Sequence, residues 1–209
     1  MNDIQSKILC NLKENELLSQ RQLAKNIGVS LGIINREYNG LISSGLITEA
    51  GRLTKEALKT IKNNQPKQAI ILAAGYGQRM VPINMDKPKG LLTVYGETLI
   101  ERLIRQLHEV GITKIYVVVG YMKEAYEFLI DKYDVELVIN REYATKNNLH
   151  SLVKVSNHLD CSYIVPCDIW SRSNPFSRNE CNSWYMMSDL SNSTLELRVN
   201  KQSSQKELS

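Results

Sequence analysis

The sequence predicts an α/β protein in two parts, a small helical unit with a short hairpin followed by a mostly parallel sheet flanked by helices. Three observations carry this expectation. Residues 62–68 (KNNQPKQ) form a polar, proline-containing stretch just before the most apolar run of the chain, residues 69–74 (AIILAA). Such a composition break marks a linker. Before it, apolar residues recur at helical spacing between capping signals. After it, short apolar runs alternate with helix-period segments, as in a parallel sheet made of strand–helix–strand units.

Composition narrows the classes of function. At about 150 residues per domain, 209 residues fall between one domain and two. Hydrophobic residues make up 43% and charged residues 23%, an ordinary globular balance. No apolar run approaches the ~20 residues of a membrane span. Met1–Leu12 has no apolar core of a secretory signal, so the cytoplasm is the expected location. Cys10, Cys161, Cys167 and Cys181 form no CxxC pair and no zinc-like pattern, and are expected to be reduced thiols. The net charge of +4 lies entirely within residues 1–68, since residues 69–209 balance. That asymmetry fits a basic module meeting nucleic acid, and ordinary solvated faces explain so small an excess equally well.

In the first part, Ile4, Ile8 and Leu12 mark the buried face of one helix. Ser19 with Gln22 is a capping-box pattern opening a helix that buries Leu23, Ala24 and Ile27. Gly28-Val29-Ser30 is a tight turn, and Ser30 can cap a helix burying Ile34, Tyr38, Leu41 and Ile42, which Gly45 stops. Leu46–Thr48 and Arg52–Thr54 are expected as two short strands of a hairpin, and Ala57, Leu58 and Ile61 as a last helical face. Residues 19–30 resemble a helix-turn-helix, and GLIT with LTKE beyond it resembles the wing of winged-helix DNA-binding domains. The resemblance covers residues 2–62, with the unit assigned to 1–64. It implies that the second helix of the motif enters the major groove, with Ser30, Asn35, Arg36 and Asn39 outward and Arg52 on phosphate. Winged helices that contact proteins, or only pack and dimerise, are the alternative.

In the second part the strands are expected at 69–73, 114–119, 135–139 and 162–165, and the helices at 98–110, 123–133 and 148–159. Leu99, Ile100, Leu103, Ile104 and Leu107 keep the helical period. Ligands of such sheets bind beyond the C-terminal strand ends. There the sequence places LAAGYGQRMVP, in which Gly75 and Gly77 permit a turn or an anion cradle and Arg79 adds phosphate donors. The run is neither a P-loop nor a complete GxGxxG. Lys87-Pro88-Lys89-Gly90 follows and makes the region cationic.

LAAGxGxRMxP followed by KPKGLL resembles the nucleotidyltransferase superfamily, with a Rossmann-like, mostly parallel sheet. IYVVVGY, NREYATKNNLHSL and YIVPCD continue the match, and KPKGLL, VVVGY and NNxxSL are most similar to its phosphocholine cytidylyltransferase branch. The resemblance implies that Leu72, Ala73, Ala74, Gly75 and Gly77 wrap CTP or another nucleoside triphosphate, with Arg79 on its phosphates. It implies Lys89 at the reacting phosphate, Gly120 and Tyr121 near the base, Asn148 and Ser151 at the rim, and Asp168 on Mg²⁺. On the residues alone, Asn148 is equally a helix cap, Asp168 a turn cap and Tyr121 packing. The implied reaction transfers CMP to a phosphorylated small molecule, expected to be phosphocholine, with release of pyrophosphate. Trp170, Trp184 and Tyr185 are candidates for an aromatic box around a quaternary ammonium, or core residues. Transfer to a sugar phosphate is a second reading. A DNA-binding regulator with a nucleotide-sensing, catalytically weak α/β domain is a third.

The resemblance is strong to Asp168, weak through Tyr185 and lost after Asp189. The family's second metal-binding acid has no counterpart, because Asp189, Glu196 and Glu207 lack its context. Residues 69–190 are therefore expected as an incomplete, C-terminally truncated nucleotidyltransferase domain, followed by a polar, Ser-rich tail at 191–209.

Overall fold

A computed structural model describes residues 1–77, 86–180 and 182–185, and the backbone of 197–199 and 206–208. The N-terminal part consists of α1 (Asp3–Glu14), α2 (Gln20–Ile27), α3 (Leu31–Ser43) and α4 (Lys55–Asn64). Their starts are set by side chains that satisfy orphan N–H groups. Asn2 and Gln5 form a capping box on α1, Ser19 and Gln22 form the expected one on α2, and Ser30 caps α3. Gly28 ends α2 in the left-handed region at φ 77°, which a side chain would strain. Ile8, Leu9, Leu12, Leu23, Ile34 and Leu41 are buried in one cluster with Ile47, Ala57 and Ile61.

Two local expectations need correction here. The hairpin is a single antiparallel bridge, Ile47 to Leu53, because Thr54 leaves the strand to cap α4, its Oγ1 accepting from Ala57 N. Ala24, Ile27, Tyr38 and Ile42 are only partly buried and Leu58 is exposed, whereas Glu37 is buried, held by the Asn2 and Gln5 amides.

The second part is built on β1 (Gln68–Ala73), β4 (Ile115–Val119), β5 (Glu136–Ile139) and β6 (Ser162–Pro166). Between β1 and β4 lie a small antiparallel pair, β2 (Thr93–Val94) and β3 (Glu97–Thr98), and the helix α5 (Leu99–Glu109). The pair β2–β3, turning at Tyr95-Gly96, is not foreseen from the sequence, since strands this short carry no periodicity.

The sheet runs in the order β5-β4-β1-β6, all parallel. β1 is central and wholly buried, as its unbroken apolar run requires. α5 and α6 (Phe128–Tyr133) cover one face through Ile100, Leu103, Leu107 and Leu129. α7 (Asn148–Lys154) and Val155 cover the other, against Ile70, Tyr116 and Val118. The expected helix 123–133 is a 3₁₀ turn, Lys123–Tyr126, followed by α6. The expected helix 148–159 stops at Lys154, where Val155 leaves helical geometry to bury itself, and Ser156–His158 is a 3₁₀ turn. Leu197–Val199 (β7) and Lys206–Leu208 (β8) pair antiparallel within the polar tail.

The two parts touch through polar groups. Lys67 N donates to Cys161 O at 2.9 Å. Asn179 Oδ1 accepts from Gln65 Nε2 at 3.1 Å, its Nδ2 donates to Glu14 Oε1 at 3.1 Å, and Asn182 Nδ2 donates to Asp3. Cys161 and Cys167 are free thiols, as expected, but Cys10 is disulfide-bonded. Spacing rules read local pairs only and give no sign of a bond the fold brings together. Cys181 lies outside the described residues. Among the described residues no helix is long and apolar enough to cross a membrane.

Candidate functional site

The C-terminal ends of β1, β4 and β6 meet at one edge, as parallel pairing dictates. Cys167 N donates to Leu72 O at 3.1 Å, and Tyr121 N donates to Ala74 O at 3.1 Å. The side chains of Leu72, Ala73 and Ala74 are buried at this edge. Gly77 takes φ 67°, while Gly75 has no positive φ and, among the described residues, nothing within 4 Å of where a Cβ would lie, so the special backbone angle is needed at Gly77. Gly120 has no room for a side chain. A Cβ there would lie 2.8 Å from Ala74 O and 2.6 Å from Tyr143 Cβ. Arg79 lies outside the described residues.

Lys89 and Asp168 come together across this edge. Lys89 opens a 3₁₀ turn, Lys89–Leu91, and Asp168 follows β6. Lys89 Nζ donates to Asp168 Oδ2 at 2.8 Å, and both side chains retain solvent access, 19% and 35% exposed. Among the described residues no group of three or more His, Cys, Asp or Glu side chains is placed to hold a metal. One carboxylate, with phosphate oxygens and water, is an ordinary Mg²⁺ environment, so Asp168 fits a cation that arrives with a triphosphate.

An aromatic wall flanks the glycine turn, and of its members only Tyr121 is a candidate from the sequence. Tyr76 and Tyr121 have ring centroids 4.4 Å apart, and Tyr143 lies 6.4 Å from Tyr121. Burial and then Tyr76 push the Tyr121 hydroxyl above its usual range. The signal for Tyr76 was its position between Gly75 and Gly77.

The rim residues separate. Asn148 is exposed at the start of α7, and the cap is Asn147, whose Oδ1 accepts from Leu149 N at 3.1 Å. Ser151 is 2% exposed, and its Oγ accepts from Asn140 Nδ2 at 3.0 Å. Asn140 in turn accepts from Glu142 N. In this geometry Ser151 holds α7 to the end of β5.

The aromatic candidates also separate. Trp170 has the Arg102 guanidinium 5.0 Å from its ring centroid and Tyr95 at 5.3 Å. A cation already seated on that ring disfavours a second one. Trp184 packs edge-on against Tyr163.

In the helix-turn-helix, Ser30, Asn35, Arg36, Asn39 and Arg52 are all exposed. Ser30 is engaged as the α3 cap. Asn35 donates to Gln20, and Asn39 donates to Asn35. Arg36 makes a two-point contact with Glu37, at 3.0 and 2.8 Å, yet its side chain is 75% exposed.

Comparison with known proteins agrees with this layout. The model of the MobA-like NTP transferase domain matches residues 69–174, just over half of the chain. The chain belongs to that family. A model described as winged helix-turn-helix DNA-binding matches residues 1–48. The choline-phosphate cytidylyltransferase of Streptococcus pneumoniae is 42% identical over 118 residues, covering 56% of this chain and 52% of that protein. The 2-aminoethylphosphonate cytidylyltransferase of Lancefieldella rimae is 40% identical over 107 residues, covering 51% and 44%. The solved CTP:phosphocholine cytidylyltransferase of S. pneumoniae superposes with a TM-score of 0.53 at 42% identity, over 54% of this chain and 50% of that one. The chain spans about half the length of the curated relatives it matches. The matched domain is thus similar to that of cytidylyltransferases, and Lys89 and Asp168 meet at its strand ends.

Proposed function

We propose that the chain transfers CMP from CTP to phosphocholine, and that its winged helix binds DNA. The observation that carries the enzymatic reading is the 2.8 Å Lys89–Asp168 contact at the strand ends beside the Gly77 turn. A lysine and a carboxylate held there suit a triphosphate that arrives with a divalent cation. The similarity to choline-phosphate and 2-aminoethylphosphonate cytidylyltransferases favours cytidine and a small phosphorylated or phosphonate acceptor.

The chemistry is an in-line substitution. An anionic acceptor oxygen attacks the α-phosphorus, the bond from that phosphorus to the bridging oxygen breaks, and pyrophosphate leaves with the electron pair. The acceptor is already ionised, so no general base is needed. Positioning and charge neutralisation dominate. Mg²⁺, when bound, supplies charge neutralisation at the phosphates, and Asp168 is the residue that would hold it. Lys89 neutralises the α-phosphate, Arg79 binds the outgoing phosphates, and Tyr121 with Tyr76 forms a surface for the base.

The test is pyrophosphate release by the purified chain with Mg²⁺ and each of the four nucleoside triphosphates. Phosphocholine, 2-aminoethylphosphonate and glucose 1-phosphate serve as acceptors. Release with CTP and phosphocholine is expected, reduced on the order of 100-fold or more in Asp168→Ala, the scale of losing a main electrostatic group. A folded chain that releases none with any pairing overturns the reading. Turnover only with the sugar phosphate would move the acceptor to that class.

A further inference from the structure

The Lys89–Asp168 contact depends on what is packed directly behind it. Gly90 follows Lys89, Cys167 precedes Asp168, and both Gly90 and Cys167 are buried. A Cβ added to Gly90 would lie 2.9 Å from Tyr126 Oη, 3.2 Å from Cys167 Cβ and 3.3 Å from Cys167 Sγ. The turn carrying Lys89 and the strand end carrying Asp168 are therefore in contact through Gly90 and Cys167. Tyr126 closes the third side from the turn that follows β4.

Tyr126 is fully buried; its hydroxyl makes no hydrogen bond of good geometry among the described residues, and the polar groups that face it are the Gly90 backbone and the Cys167 thiol. A phenylalanine would spare the desolvation of that oxygen. The oxygen does fill volume: it occupies the place where a side chain at position 90 would go. Three separate sequence motifs, KPKG, VVVGYMKEAY and VPCD, converge on this one contact.

We propose that Gly90 and Tyr126 are a size-matched positioning pair, with Tyr126 Oη acting as the stop that seats the Gly90 turn and so sets Lys89 against Asp168. The proposal rests on the cytidylyltransferase reading for its activity readout, but its geometry is independent of it. Gly90→Ala drives a methyl group into the stop and lifts the turn. Tyr126→Phe removes the stop and loosens it. Combined, the new methyl group fills the space the oxygen left, with only Cys167 needing to shift by a few tenths of an ångström.

The experiment uses the full chain and three variants: Gly90→Ala, Tyr126→Phe and the double. The readouts are melting temperature, kcat and KM for pyrophosphate release with CTP and phosphocholine, and crystal structures. Gly90→Ala is expected to lower kcat at least tenfold with KM changed less than threefold. Tyr126→Phe should lower kcat twofold to fivefold, and the double should recover at least fivefold over Gly90→Ala. A pair that only supports the core would move the melting temperature and leave the kcat of the folded fraction alone, which overturns the proposal. So would a folded double variant no better than Gly90→Ala. If the parent chain has no turnover, the functional reading fails, and the structures decide this proposal. The 2.8 Å Lys89–Asp168 contact must then be lost in Gly90→Ala and regained in the double.

Discussion

Asn140 is fully buried at the end of β5 and uses its polar atoms on Ser151 Oγ and Glu142 N. Ser151 was readable from NNxxSL only as part of a motif, because a spacing does not say which way a serine on a helix faces. Its burial makes a specific expectation. Asn140→Ala should cost about 1–3 kcal/mol in urea unfolding by leaving buried partners unpaired, and Ser151→Ala should cost a comparable amount. Unchanged stability in Ser151→Ala with nucleotide binding lost would instead place that serine on the ligand. Glu37 behaves as a second buried anchor. The Asn2 amide, then Arg36, hold its carboxyl below the usual 4.5. A depressed carboxylate contributes stability above its unfolded value and loses it as pH falls through the folded one. The unfolding midpoints of the parent and Glu37→Gln should therefore differ at neutral pH and converge below about pH 4.5. A gap that persists in acid would contradict this. Lys89 and Asp168 were legible as residues, whereas Tyr126 was not, since an aromatic in a helix-period run reads as core.

Among the elements, those with strong local signals are where the sequence puts them. The apolar runs at 69–73 and 115–119 became the two central strands, and Ser19-x-x-Gln22 became the α2 capping box. Elements decided by non-local packing were not legible: the split of 123–133, the end of α7 at Val155, and the pair β2–β3. The α3 face was legible in its exposed residues but not in the Arg36–Glu37 contact, which sequence neighbours alone do not reveal. If α3 enters a major groove, Arg36 must exchange that carboxylate for a base edge or phosphate. Arg36→Ala should then weaken binding to a cognate duplex by about 1–3 kcal/mol in fluorescence anisotropy. Equal affinity in the variant would show that α3 is not the reading helix.

At the scale of the molecule, the sheet ends at β6 among the described residues. Among the described residues β6 pairs with β1 alone, and Ile164 on β6 is 46% exposed. Leu149 and Val153, one helical turn apart on α7, are 67% and 58% exposed. An unpaired strand edge near exposed apolar groups favours association. The chain is expected to self-associate in sedimentation velocity, and Ile164→Lys should shift it toward monomer. A parent chain that is monomeric at tens of micromolar would contradict that.

The proposed enzymatic role depends on one claim: that the ends of β1, β4 and β6 form a nucleoside triphosphate site lined by Lys89 and Asp168. Calorimetric titration of CTP into the chain, with and without Mg²⁺, beside Asp168→Ala, tests it most directly. The account predicts Mg²⁺-dependent binding that weakens at least about tenfold in the variant, the ~1.4 kcal/mol scale of one lost charged contact. Binding that is indifferent to both Mg²⁺ and Asp168, in a folded variant, would contradict it.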